Sequence, residues 1–182
     1  MTALVIVGGF LGAGKTTLIL RAADVLRARG QRVAVILNDQ DHGLVDTRFA
    51  ESRALEAREV AGGCFCCRFA DLLEAAGSLA AFKPDVIFSE PVGSCIDLVA
   101  TILEPLKTQH ADQFKLAPFS VLVDPDLAAR VEAGQADEDV AYLYRQQLAE
   151  ADLICTTKAD LFGEAPAFAF PVDFRLSAKT GE

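Results

Sequence analysis

The chain has 182 residues, 52% of them hydrophobic, and a net charge of −9 at neutral pH, with a mean hydropathy of +0.28. That length fits one domain able to bury a sizeable core, and that hydrophobicity excludes wholesale disorder. The acidic balance excludes a nucleic-acid partner, which needs a basic face against the phosphates, and no apolar run is long enough to span a membrane.

Met1-Thr2 leads straight into the apolar run Ala3–Val7, without the basic segment and cleavage site of a secretory signal, so the expected compartment is the cytoplasm. Ala3–Val7 reads as a buried parallel strand, and Thr16–Arg29 as a helix with apolar residues at Leu18, Ile19, Ala22, Val25 and Leu26, closed by Gly30. Arg32–Leu37 is a second strand, Asn38–Ala50 a polar loop, and Ala54–Val60 a short edge strand. Helical spacing follows over Phe69–Phe82, ended by Pro84, with a strand at Asp85–Ser89. The remaining expectations are a helix Ile96–Leu106, a strand Phe119–Val123, a helix Asp139–Glu150, and strands Ala151–Thr156 and Val172–Leu176. Gly163–Pro171 reads as an irregular loop. This alternation predicts one domain over residues 1–182, a three-layer α/β P-loop NTPase fold with a mainly parallel sheet and ligands at the carboxyl ends of the strands. The chain ends at Glu182 just after a strand-to-helix turn, so a closing helix is expected to be missing.

Gly9-Phe10-Leu11-Gly12-Ala13-Gly14-Lys15-Thr16 fits G-x-x-x-x-G-K-[ST] between a strand and a helix, the context that motif requires. Its glycines let successive N–H groups of Gly12, Ala13 and Gly14 point at a β-phosphate. Lys15 reaches the β- and γ-phosphates, and the Thr16 hydroxyl ligates Mg²⁺. The neighbouring Thr17 belongs to the same cradle. Thr157-Lys158-Ala159-Asp160 follows a strand where a base-recognition loop belongs. The Asp160 carboxylate can accept from the guanine N1–H and exocyclic amine, a donor pair that adenine lacks, so the nucleotide expected is GTP or GDP. Ser177-Ala178, after the last strand, can place a backbone N–H near the guanine O6. Asp39, after the second strand, is a candidate for Mg²⁺ coordination or for positioning the attacking water. Glu90 is a second Mg²⁺ carboxylate, direct or through water, and Gly93 can offer its N–H to the γ-phosphate.

Of five cysteines, three fall in the four positions of Cys64-Phe65-Cys66-Cys67. A disulfide between neighbours 66 and 67 would be strained, and an odd count leaves a thiol over. Three soft donors favour Zn²⁺ or Cu(I), with Co²⁺ and Ni²⁺ as alternatives, and leave a tetrahedral shell one ligand short. A partner side chain, a water, His42, Asp39 or Asp46 could fill it. Cys95 and Cys155 lie in apolar patterns and read as core filler. These features leave three readings open: a nucleotide-gated metal carrier, a regulatory switch with a structural zinc at an interface, or an ATP-using small-molecule kinase.

With these residues assembled, the chain resembles the CobW-type metal-binding GTPases, in the P-loop class that also holds the nickel-handling hydrogenase and urease accessory GTPases and the signal-recognition GTPases. The resemblance rests on Gly9–Thr17 for G-x-L-G-x-G-K-T-T, Gly62–Cys67 for G-G-C-x-C-C, Glu90–Gly93 for E-x-x-G, Thr157–Asp160 for N/T-K-x-D, and the run Tyr142–Ile154. It implies slow, Mg²⁺-dependent GTP hydrolysis coupled to delivery of zinc, cobalt or nickel to a client apo-metalloprotein, and leaves a homodimer open. Asn38-Asp39-Gln40-Asp41-His42 stands where the family has N-E-F-G-E, Thr157 stands for the commoner Asn, and the 163–171 segment is short. On this resemblance the family's C-terminal domain is expected to be missing from the given residues.

Overall fold

A computed structural model describes residues 1–39, 55–162 and 168–181. Among the described residues eight strands form one sheet: β1 (Thr2–Gly9), β2 (Val33–Asp39), β3 (Glu56–Ala61), β4 (Val86–Glu90), β5 (Phe114–Leu116), β6 (Ser120–Val123), β7 (Leu153–Thr156) and β8 (Phe174–Arg175). Their order is β3-β2-β4-β1-β6-β7-β8, with β5 pairing the first half of β1 and β6 its second half. Every pairing is parallel, so the carboxyl ends of the strands share one edge of the sheet. That edge carries every described site position.

Parallel strands buried on both faces need apolar side chains of both parities, and β2 supplies them. Ala34 and Ile36 join Leu4, Ile6, Ile87 and Val121 on one face, while Val33, Val35 and Leu37 join Val7, Phe88 and Leu122 on the other. The helix α1 (Lys15–Ala28) covers the second face with Ile19, Leu20 and Ala23. On the first face lie α2 (Phe69–Ser78) and α3 (Glu104–Gln109), contributing Leu72 and Leu106. A third cluster, Val123, Ala128, Val131, Ala141, Tyr144 and Ile154, packs under α4 (Pro125–Glu132) and α5 (Glu138–Glu150). The result is the expected three-layer α/β arrangement.

Several element expectations are corrected. The 69–82 helix is α-helical only to Ser78 and tightens into a 3₁₀ turn over Leu79–Phe82, while the helix expected from Ile96 begins with a π-helical turn at Val99–Leu103 and runs on to Gln109. Asn38 and Asp39, expected in a loop, extend β2 because they pair with Val60 and Ala61 of β3. Strand β5 and helix α4 were not expected. Helix α4 carries a readable start signal, Asp124 as N-cap accepting from the Asp126 N–H at 3.0 Å with Pro125 at its first turn. The rest of the 38–50 loop, with His42 and Asp46, and residues 163–167 of the later loop lie outside the described residues.

Candidate functional site

The phosphate loop runs from the end of β1 to the head of α1. Gly14, the N-cap of α1, has φ +89°, and Gly12 has φ +78°; a Cβ on either would meet nothing within 4 Å. The loop is therefore an open concavity with left-handed turns that only glycine adopts cheaply, which fits a phosphate cradle. Ala13 is fully buried beneath it. Lys15 is only 6% exposed, and its ammonium lies 3.4 Å from the Phe10 carbonyl and 3.9 Å from Glu90 Oε1. Such a buried cation needs anionic company, and Glu90 supplies one charge. The Thr16 hydroxyl donates to the same Glu90 Oε1 at 3.0 Å. Thr16 and Glu90 thus converge from different elements, an oxygen pair suited to Mg²⁺ directly or through water. Asp39 ends β2 on the same edge of the sheet.

Gly93 sits where a side chain could not. A Cβ there would lie 2.7 Å from the Leu11 N and 3.0 Å from its Cα, so the loop after β4 is pressed against the phosphate loop. The buried Gln147 of α5 holds that position, donating at 2.9 Å to both the Gly93 and Cys95 carbonyls. Sequence reading missed this glutamine, although it falls within the Tyr142–Ile154 run.

The tetrad Thr157–Asp160 follows β7. The buried Thr157 hydroxyl bonds the Ala13 carbonyl at 2.9 Å and approaches that of Val123 at 3.2 Å. Lys158 has φ +57°, a strained conformation for a residue with a side chain, and its ammonium meets Asp124 Oδ2 at 2.6 Å. The Ser177 hydroxyl donates to Asp160 Oδ1 at 2.6 Å and also receives the Thr180 N–H at 3.2 Å. That hydroxyl holds the Asp160 carboxyl below the usual carboxylate range, so the acceptor stays ionised. Ala178 follows Ser177 directly, and Ala159 N–H bonds the Leu176 carbonyl at 3.2 Å, which ties the two base-side segments together. Asp124, the orienting partner of Lys158, was not singled out from the sequence.

The thiols sit on a helical turn that opens into α2. Cys67 and Arg68 N–H groups return to the Cys64 carbonyl at 3.1 and 3.0 Å, while the intervening Phe65 is fully buried and anchors the turn in the core. Cys64, Cys66 and Cys67 sulfurs all lie within 4.8 Å of one another, with Cys64 and Cys67 at 3.4 Å. Asn38 at the end of β2 secures the approach, its amide donating to the Val60 and Gly63 carbonyls, both at 2.7 Å. Burial pushes the Cys64 thiol up. Hydrogen bonds with Cys66, the Cys67 amide and the Cys67 and Cys95 thiols outweigh it and bring it down to about 7, while burial and the neighbouring Cys64 push Cys66 up to about 12. Cys95 and Cys155 are both buried in the core, as expected.

Comparison with known proteins agrees with this geometry. A family model, CobW/HypB/UreG nucleotide-binding domain, matches residues 3–172. The chain is 30% identical over 173 residues to the zinc chaperone YjiA of Escherichia coli K12, covering 90% of this chain and 51% of YjiA. It is 32% identical over 188 residues to the zinc chaperone CobW of Pseudomonas aeruginosa, covering 85% and 48%. The chain therefore spans about half the length of the curated relatives it matches. Among solved structures, nickel-complexed HypB from Helicobacter pylori superposes with a TM-score of 0.63 at 20% identity, covering 98% of this chain and 80% of that one. No described helix is long and apolar enough to cross a membrane.

Proposed function

This chain belongs to the CobW/HypB/UreG family of P-loop nucleotide-binding domains, and from that premise we propose that it is a cytoplasmic GTP-hydrolysing carrier that delivers a transition metal to a client apo-metalloprotein. Zinc is the first candidate cargo, since the curated relatives bear the name zinc chaperone and three thiolates suit it; Co²⁺ and Ni²⁺ are the alternatives. One observation carries the reading. The three-thiol cluster lies on the same edge of the sheet as the phosphate loop, Cys64 packs against the core cluster that also holds Cys95, and the loop that begins at Glu90 presses on the phosphate loop at Gly93.

In this reading Gly12, Ala13, Gly14, Lys15, Thr16 and Thr17 hold the phosphates, and Asp160, Lys158, Thr157, Ser177 and Ala178 the guanine. Thr16, Glu90 and Asp39 would hold Mg²⁺, which neutralises charge on the phosphate oxygens when bound. Lys15 offers a buried ammonium for charge on the β,γ-bridge, and Gly93 an N–H to the γ-phosphate side. A change at the γ-phosphate position moves the Gly93 loop, and with it the surroundings of Cys64. The test is Zn²⁺ affinity measured with GDP and with a non-hydrolysable GTP analogue. Different affinities support a gated carrier; equal affinities end the coupling. A preference for ATP over GTP would end the guanine assignment.

A further inference from the structure

We propose that Gln147 and Glu150 of α5 are positioning residues for the γ-phosphate: they hold the loop after β4 against the phosphate loop, so that the Gly93 N–H is in place before GTP arrives. The proposal rests on the guanine-nucleotide reading above and deepens it. Its basis is a set of four backbone anchors, one at every second residue of that loop. Gln147 donates from its amide nitrogen to the Gly93 and Cys95 carbonyls, each at 2.9 Å. Glu150, three residues further along the helix, accepts the Asp97 N–H on Oε1 at 2.5 Å and the Val99 N–H on Oε2 at 3.2 Å. Helix α5 thus grips the loop by carbonyls at its start and by N–H groups at its end. The Val99 N–H opens the π-helical turn and has no partner within it, so the Glu150 carboxylate also caps that turn from outside.

The loop needs this grip. Asp97 has φ +60°, a left-handed conformation that costs energy in a residue with a side chain and persists only where its surroundings over-determine it. The Glu150 carboxylate on the Asp97 N–H is one such constraint. At the other end, Gly93 lies so close to the phosphate loop that a Cβ would fall 2.7 Å from the Leu11 N, while Gln147 holds its carbonyl. The helix is fixed in turn, since Ala141 and Tyr144 are buried in the third core cluster. Gln147 is itself buried, so water cannot stand in for its bonds to the loop. An N–H already fixed in place contributes to binding without the cost of first ordering its loop. GDP has no γ-phosphate and draws nothing from that N–H, so the grip acts on GTP selectively.

The experiment measures affinity for GDP and for a non-hydrolysable GTP analogue, with Mg²⁺ present, and the melting temperature of each variant. It compares the native chain with Gln147→Leu, Glu150→Gln and, as a control on the neighbouring residue of the same helix, Gln146→Leu. Analogue affinity should fall about tenfold in Gln147→Leu, the worth of one hydrogen bond to a charged group, while GDP affinity stays within about twofold. Glu150→Gln keeps one oxygen for two N–H groups and should show a smaller loss of the same kind; Gln146→Leu should show none. Equal falls for both nucleotides overturn the proposal, because they mark general support of the fold, and so does an unchanged analogue affinity. Either result leaves the guanine-nucleotide reading standing. A native chain that binds neither nucleotide overturns both. Should Gln147→Leu fail to fold, Glu150→Gln decides alone, since the Glu150 side chain is only partly buried.

Discussion

The Thr157 hydroxyl donates to the Ala13 carbonyl at 2.9 Å, joining the segment after β7 to the floor of the glycine-rich loop after β1 across 144 residues of sequence. Both partners are buried, so the bond has no water to replace it. Thr157→Val keeps the shape and removes the donor, leaving the Ala13 carbonyl unsatisfied. The expected cost is about 1–3 kcal/mol. At roughly 2–4 °C per kcal/mol for a domain of this size, thermal unfolding should register it clearly. GDP affinity should fall as well, because the loop loses its support. An unchanged melting temperature would show that the bond carries no net stabilisation.

Asp160 and Ser177 make a pH-dependent pair. Because the Ser177 hydroxyl depresses the Asp160 pKa, the pair stabilises the folded chain above the ordinary carboxylate value near 4, and that contribution is lost as pH falls through the lower folded value. Ser177→Ala should raise the Asp160 pKa toward the ordinary value, read directly by carboxyl NMR titration. The stability difference between variant and native chain should be present at pH 7 and shrink at acid pH. Asp160→Asn should separately shift nucleotide preference from guanine toward xanthine, whose C2 carbonyl accepts from the new amide. Competition binding with GDP and xanthosine diphosphate checks this, and retained guanine preference would remove Asp160 from the base site.

Residues were legible in the sequence where chemistry depends on local spacing. The phosphate loop, the thiol turn and the base tetrad are contiguous motifs, and each falls at a strand end as expected. Asn38, Asp124 and Gln147 were not legible as site residues, because each acts on residues 22 to 54 positions away in sequence and none belongs to a spaced pattern. Strand β5 escaped notice because three residues, Phe114-Lys115-Leu116, carry too little alternation to separate them from loop. Helix α4 escaped although its Asp-Pro start was readable.

Gly93→Ala tests the contact between the Glu90 loop and the phosphate loop. The added Cβ would meet the Leu11 backbone at 2.7 Å, and backbone cannot swing aside as a side-chain tip can. Overpacking of this kind costs about 1–3 kcal/mol and should displace the phosphate loop, lowering GDP affinity with it. Gly77→Ala is the control, since a Cβ at that helical position meets nothing within 4 Å and should stabilise by about 0.5–1 kcal/mol. Equal nucleotide affinity in the two variants would show that the close approach at Gly93 does not position the phosphate loop.

Asn38→Asp probes how β2 sets the thiol turn. The native amide donates to the Val60 and Gly63 carbonyls, both at 2.7 Å, and so fixes the Gly62-Gly63 turn from which the cysteines start. Aspartate has the same size but only acceptors, so its carboxylate would face two carbonyl oxygens. Repulsion and the lost bonds together should cost about 1–3 kcal/mol. The turn would then move away from β2, and the three sulfurs would no longer be held within bonding reach of one ion. Zn²⁺ affinity, measured by chelator competition, should therefore fall more than GDP affinity, because the phosphate loop has its own supports in Thr157 and in the Gly93 contact. If the variant loses stability but binds Zn²⁺ as tightly as the native chain, the turn is set by Phe65 in the core and not by Asn38.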